Sequence, residues 1–159
     1  MVTENPDLST VLTDPVAEWL LAAAIPARLS YSGPDGTPRV VPIWFHWTGD
    51  EIVMAGPPDA PKIAALQARP EVALTIDAND WPYKVLLIRG IATVDVVDGV
   101  APEYRLAARK HFGDVQGDAW ADQVGGMMAQ TGRIAVKPTW AKVLDFETRF
   151  PEALARRMG

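Results

Sequence analysis

The chain predicts a mainly β domain with outer helices: antiparallel strands closing as a small barrel, helices packed around it. Three observations carry this. About six or seven runs rich in β-branched and aromatic residues are joined mostly by tight turns of Gly, Pro and Asp. The helical stretches do not alternate with strands as βαβαβ, so a parallel doubly wound sheet is not expected. At 159 residues and 48% hydrophobic there is chain for one domain with one core. Strands joined by short turns with no linker between them close most simply as a barrel.

Taken in order, residues 1–13 read as a polar N-terminal arm with little to bury. Asp14-Pro15 reads as a cap and first helical residue, opening a helix over Val16–Ala24 that Pro26 stops. Ala27–Ser32 is a short strand, and Gly33–Pro38 is turn chemistry, with Asp35-Gly36 favouring positive φ. From Val40 to Trp47 the chain reads as a long aromatic strand. Thr48-Gly49-Asp50 turns it into a hairpin with Ile52, Val53 and Met54. After the break at Gly56-Pro57-Pro58 a helix starts near Pro61 and ends before Pro70.

Glu71–Ile76 is the next strand, and Tyr83–Val97 is the longest. Gly90 in its middle predicts a bulge or a close backbone approach. Pro102–Phe112 reads as a helix with Tyr104, Leu106, Ala107 and Phe112 buried. Gly113–Gly117 breaks it, and Asp118–Met128 is a weaker helix. Two strands, Gly132–Val136 and Trp140–Phe146, are joined through Lys137-Pro138. Phe150–Met158 is a terminal helix. One domain over residues 14–147 is expected, with residues 148–159 as a C-terminal helical extension.

Composition removes several function classes. The net charge is −5 and no basic run occurs, so neither nucleic acid nor an anionic membrane is expected as a partner. Cysteine is absent, which excludes disulfides, thiolate chemistry and cysteine metal sites. No basic segment precedes a long apolar run, and Leu20–Ile25 is too short to span a bilayer. A cytoplasmic location is the simplest expectation. His46 and His111 form no metal-binding spacing, so no metal is expected. There is no G-x-S-x-G and no P-loop, and Gly125-Gly126 lacks dinucleotide spacing. No acid–base pair stands out, so no catalytic side chain is assigned. An enzyme built from this chain would take its chemistry from a cofactor.

One stretch invites a ligand. Lys62 falls in the first turn of the helix after Pro61, where free N–H groups and a cation together suit a phosphate. An aromatic strand followed by that helix start could hold an aromatic ligand with a phosphate tail. The competing reading is a core hairpin with a solvated lysine. Of six tryptophans, Trp19, Trp120 and Trp140 read as core or dimer-interface anchors. Trp44 and Trp81 suit either anchoring or ligand stacking.

The order of these pieces resembles the flavin-binding split-barrel family, the pyridoxamine 5′-phosphate oxidase-like superfamily that includes actinobacterial flavin and deazaflavin oxidoreductases. The matching segments are Ala27-Arg28-Leu29, then Asp35-Gly36-Thr37-Pro38-Arg39-Val40-Val41-Pro42-Ile43-Trp44-Phe45 and Gly49-Asp50-Glu51-Ile52. Lys62-Ile63-Ala64-Ala65-Leu66, Pro70-Glu71-Val72-Ala73-Leu74 and Ile88-Arg89-Gly90-Ile91-Ala92 follow. The resemblance implies a homodimer of six-stranded antiparallel split β-barrels, the FMN-binding split barrel, with the cofactor at the subunit interface.

By that resemblance Arg39, Val41, Pro42, Ile43 and Trp44 would run along the flavin ring. Arg39 and Lys62 would meet the phosphate, Met54, Ala55 and Gly56 would form the strand end beside it, and Trp81, Tyr83 and Lys84 would supply further ring contacts. The oxidase pattern Ser-Arg-Lys stands here as Ala60-Pro61-Lys62. The implied activity is an FMN-dependent oxidoreductase that moves hydride between cofactor and a small conjugated substrate. The alternatives are a reductase using the deazaflavin F-420, or a non-catalytic flavin, haem or tetrapyrrole binder.

Overall fold

A computed structural model of the chain describes residues 7–159. Helices α1 (Leu8–Leu12) and α2 (Pro15–Ala22) lead into β1 (Ala27–Ser32) and β2 (Pro38–Ile43). Next come β3 (His46–Trp47), β4 (Ile52–Gly56) and α3 (Pro61–Ala68). Strands β5 (Glu71–Asp77) and β6 (Lys84–Asp98) precede the helix pair α4 (Pro102–Phe112) and α5 (Asp114–Met127). The chain closes with β7 (Gln130–Asp145) and α6 (Glu152–Met158).

All pairings are antiparallel, in the order β2-β1-β5-β6-β7-β4-β3. Laid flat, the edges of such a sheet would stand roughly 29 Å apart at about 4.8 Å per strand. Yet β2 ends at Ile43 and β3 begins at His46, and three residues of extended chain reach only about 10 Å. The sheet therefore curls until its two edges approach, which makes it a barrel with a seam. It has seven members, within the six or seven counted from the sequence and one more than the resemblance implied.

The core follows from alternation. Val72, Leu74 and Ile76 point inward along β5, and Leu86, Ile88 and Ala92 along β6. They meet Leu20 from α2, Phe45 from the seam and Leu66 from α3. Each fully buried residue of this size contributes about 1.5–3 kcal/mol.

Five sequence expectations change. The aromatic run Val40–Trp47 is two strands on opposite edges: β2 pairs only with β1, and His46-Trp47 alone pairs with β4. The cause is Phe45, which is fully buried and draws the chain across the seam. The two C-terminal strands are one, β7, since a bulge at Arg89/Gly90 absorbs Thr139 between Pro138 and Trp140. A Cβ on Gly90 would stand 2.6 Å from the Lys137 carbonyl oxygen, the close approach the glycine predicted.

The N-terminal arm is not wholly polar in role. Residues 1–6 lie outside the described part, but Asp7 caps α1 and Val11 enters the core. Helix α4 buries Ala107 and Ala108, leaving Leu106 and Phe112 39% and 45% exposed. Its small residues admit α5, whose Gly117 lies inside the helix and against the Arg109 backbone rather than breaking the chain.

Candidate functional site

Strand β4 buries Met54 and Ala55 and ends at Gly56. Its cross-strand partner is Gly132. A Cβ on Gly132 would collide with Ile63 of α3, so the bare position lets that helix lie close on the strand end. The two prolines after Gly56 steer the chain away from the sheet, and Pro61 opens α3 at its first turn. Ala60 caps the helix without a side-chain hydrogen bond, although the Ile63 amide already donates to the Ala60 carbonyl at 2.9 Å.

Lys62 folds back over this end. A Cβ on Gly56 would stand 3.4 Å from Lys62 Nζ and 3.6 Å from its Cε. Burial pushes the ammonium below its ordinary range, and no carboxylate offsets it. A half-buried cation lacking a counter-ion, beside the positive end of a helix, has the charge that an anion would need. Met54, Ala55, Gly56 and Lys62 are thus brought together.

Arg39 lies elsewhere. Its guanidinium turns onto its own loop, bonding Asp35 at 3.1 Å and the Thr37 hydroxyl at 3.1 Å. Val41 and Ile43 are half-buried on β2, and the exposed Pro42 suits an edge strand because it has no N–H to leave unpaired. Trp44 packs on α4: it stacks on His111 at 4.6 Å and meets Phe112 edge-on at 5.2 Å. One of its faces is therefore taken within the chain.

Trp81, Tyr83 and Lys84 form a third group. Trp81 and Tyr83 are 67% and 42% exposed and meet edge-on at 5.1 Å. Phe146, unnoticed as a site residue in the sequence, joins both rings, and Phe150 extends the cluster. Tyr83 and Phe146 also line a cavity of about 480 Å³ with Asp77 and Leu144. Lys84 is tied to Asp145 and Glu147, each at 3.2 Å. The Glu147 amide, the Thr148 hydroxyl and Lys84 hold the Asp145 carboxyl down at about 2.

Gly56 and Lys84 sit at opposite ends of one ribbon. Gly56 pairs with Gly132, which pairs with Val96, whereas Lys84 begins β6. The intervening residues make roughly 40 Å of strand at about 3.3 Å each. Among the described residues no group of His, Cys, Asp or Glu is placed to hold a metal ion. No described helix is long and apolar enough to cross a membrane.

No family model matches the chain, and no curated protein matches its sequence. Solved structures do. An F420 reductase superposes with a TM-score of 0.62 at 27% identity, over 79% of this chain and 94% of that one. A haem storage protein from Vibrio cholerae gives 0.59 at 13% identity over 83% and 93%. An FAD-binding protein from Mesorhizobium loti gives 0.53 at 18% over 79% and 87%. With pyridoxamine 5′-phosphate oxidase-like proteins also among its structural neighbours, the chain carries the fold of the flavin-binding split-barrel family.

Proposed function

We propose that the protein is an oxidoreductase that seats the phosphate of a flavin-type cofactor at Gly56–Lys62 and moves hydride to or from a small conjugated substrate. The observation that carries this is Lys62: half-buried, without a carboxylate partner, at a helix start that ends no side-chain cap. The deazaflavin F-420 is the favoured cofactor, because the F420 reductase shares more sequence with this chain than the FAD-binding neighbour does. FMN is the second reading, supported by the oxidase-like neighbours. Either group has the phosphate that this donor set suits.

Once bound, such a cofactor supplies the hydride chemistry. The chain's part is placement and charge. Lys62 neutralises the phosphate as a point charge and needs no bidentate partner. The positive end of α3 adds a smaller contribution, with Pro61 supplying no amide. Trp81 and Tyr83 offer exposed faces to the cofactor ring and to a flat substrate stacked on it. No side chain of this site is required as acid or base. A homodimer in the cytoplasm, with the cofactor between subunits, completes the proposal.

Titration of the purified protein with F-420, FMN, riboflavin and haem tests it. F-420 is expected to bind tightest, FMN more weakly, and riboflavin least because it brings no phosphate. Failure of both phosphorylated cofactors to bind would remove the enzyme reading. Binding of haem alone would put a storage role in its place.

A further inference from the structure

We propose that Lys110 is a carbonyl-reactive amine: the cavity of about 500 Å³ bounded by α2, β3 and α4 takes a small aldehyde with an apolar or aromatic body, which condenses reversibly with Lys110 Nζ as an imine. This site is separate from Gly56–Lys62 and does not depend on the cofactor reading.

The amine is held without a counter-ion. Its Nζ donates to the Phe45 carbonyl at 3.1 Å and lies 3.8 Å above the centre of the Phe45 ring. Glu18 of α2 and Asp114 of α5 line the same cavity but form no ion pair with it. Glu103 of α4 is taken by Arg133, and Asp118 by Arg109 and Arg105. No carboxylate pairs with it, and burial brings the Lys110 ammonium down to about 8. At neutral pH the free-amine fraction is then on the order of a hundredfold or more above that of a solvated lysine.

The walls suit the rest of the reaction. Leu21, Ala22, Trp47 and Leu106 give the cavity an apolar side for the aldehyde's body. His46 also lines it, and burial together with the Lys110 charge keeps its imidazole below the ordinary value, hence neutral near pH 7. The neighbouring His111 is lowered by the same two causes. The nitrogen lone pair attacks the carbonyl carbon, the carbonyl π pair moves onto oxygen, and the first of the two nitrogen protons passes to that oxygen to make a hydroxyl; the second leaves with it as water. A neutral imidazole can take the proton the nitrogen loses and return it to the departing hydroxyl. The sum is amine plus aldehyde giving imine plus water, with nothing oxidised or reduced.

Three other lysines are internal controls, and Lys62, whose ammonium burial also lowers, is scored apart. Lys84 is held by two carboxylates, Lys137 reaches Asp50, and Lys142 is exposed. The experiment treats the intact protein with benzaldehyde at pH 7, reduces the imines with cyanoborohydride, and maps modified peptides by mass. The terminal amine, which titrates near 8 in any chain, is scored apart. Lys110 is expected to be modified at least about tenfold faster than Lys142. The His46→Gln variant should slow Lys110 and leave Lys142 unchanged. Lys110→Arg should abolish modification at that peptide alone. A Lys110 rate at or below that of Lys142 overturns the proposal, and so does a Lys110 rate that is fast but equal in His46→Gln, since the cavity would then contribute no proton transfer.

Discussion

Two residues show how much a single charge does here. Lys62 has no carboxylate to answer it, so its charge is available to a ligand. The Lys62→Ala variant is expected to weaken F-420 or FMN by about 1.5–3 kcal/mol, the scale of one charge-assisted contact, or roughly tenfold to 150-fold. Riboflavin should be nearly unaffected, and urea unfolding should move within about 0.5 kcal/mol, because the side chain is half-exposed and supports no core contact. Equal FMN affinity in both proteins would place the phosphate elsewhere. Asp145 is the opposite case, a buried carboxyl with every partner supplied. It titrates near 3.8 when unfolded and at about 2 when folded. Between those values the unfolded chain binds a proton that the folded one does not, so stability rises with pH across the window. The contribution is complete above about pH 4 and is lost as pH falls toward 2. Urea midpoints measured through that window should fall less steeply in Asp145→Asn than in the wild type. Parallel slopes would show that the network does not hold the carboxylate down.

At the scale of elements, the β6–β7 ribbon carries both candidate residue groups, and its bulge is a point of close backbone approach. An alanine at position 90 puts a Cβ 2.6 Å from the Lys137 oxygen and 2.7 Å from Val136 Cγ1, one of them backbone. Gly90→Ala should therefore cost about 1–3 kcal/mol, seen as a lower urea midpoint with an unchanged slope. A midpoint equal to that of the wild type would mean that the ribbon can open at the bulge. This glycine was legible in the sequence because a lone Gly in a long β run has a local cause. So were the Asp14-Pro15 helix start and the bounds of Pro102–Phe112. Lys62 was legible for the same reason, since Pro61 fixes where the helix begins. The separation of β2 from β3 was not. Nothing in Val40–Trp47 says which strand lies beside it, because pairing is set by closure of the whole sheet. Helix faces were legible only in part: Ala107 was expected inside and is buried, but Leu106 and Phe112 stay exposed because close packing with α5 selects the small Ala107 and Ala108. Lys110 stayed hidden for that reason, since its environment depends on which face of α4 meets the barrel.

At the scale of the molecule, the placement of the site residues argues for more than one chain. Gly56 and Lys62 stand at one end of the ribbon, and Trp81 and Tyr83 at the other, separated by roughly 40 Å of strand. If both groups serve one cofactor, as the family resemblance implies, they come from different subunits of the proposed homodimer. A two-fold pair then has two sites, each built from one subunit's Lys62 and the other's Trp81. This can be tested without a structure of the dimer. Lys62→Ala and Trp81→Ala are each expected to bind the cofactor poorly, since each homodimer has two defective sites. When the two variants are mixed, unfolded and refolded together, about half of the dimers are mixed, and each mixed dimer has one site with both residues intact. About a quarter of all sites should then bind with wild-type affinity, read as a distinct tight phase in the titration. A site contained within one chain regains nothing on mixing, because every chain still lacks one of its residues. Absence of the tight phase, in a mixture whose subunits have exchanged, would therefore confine the site to a single chain and remove Trp81 from it.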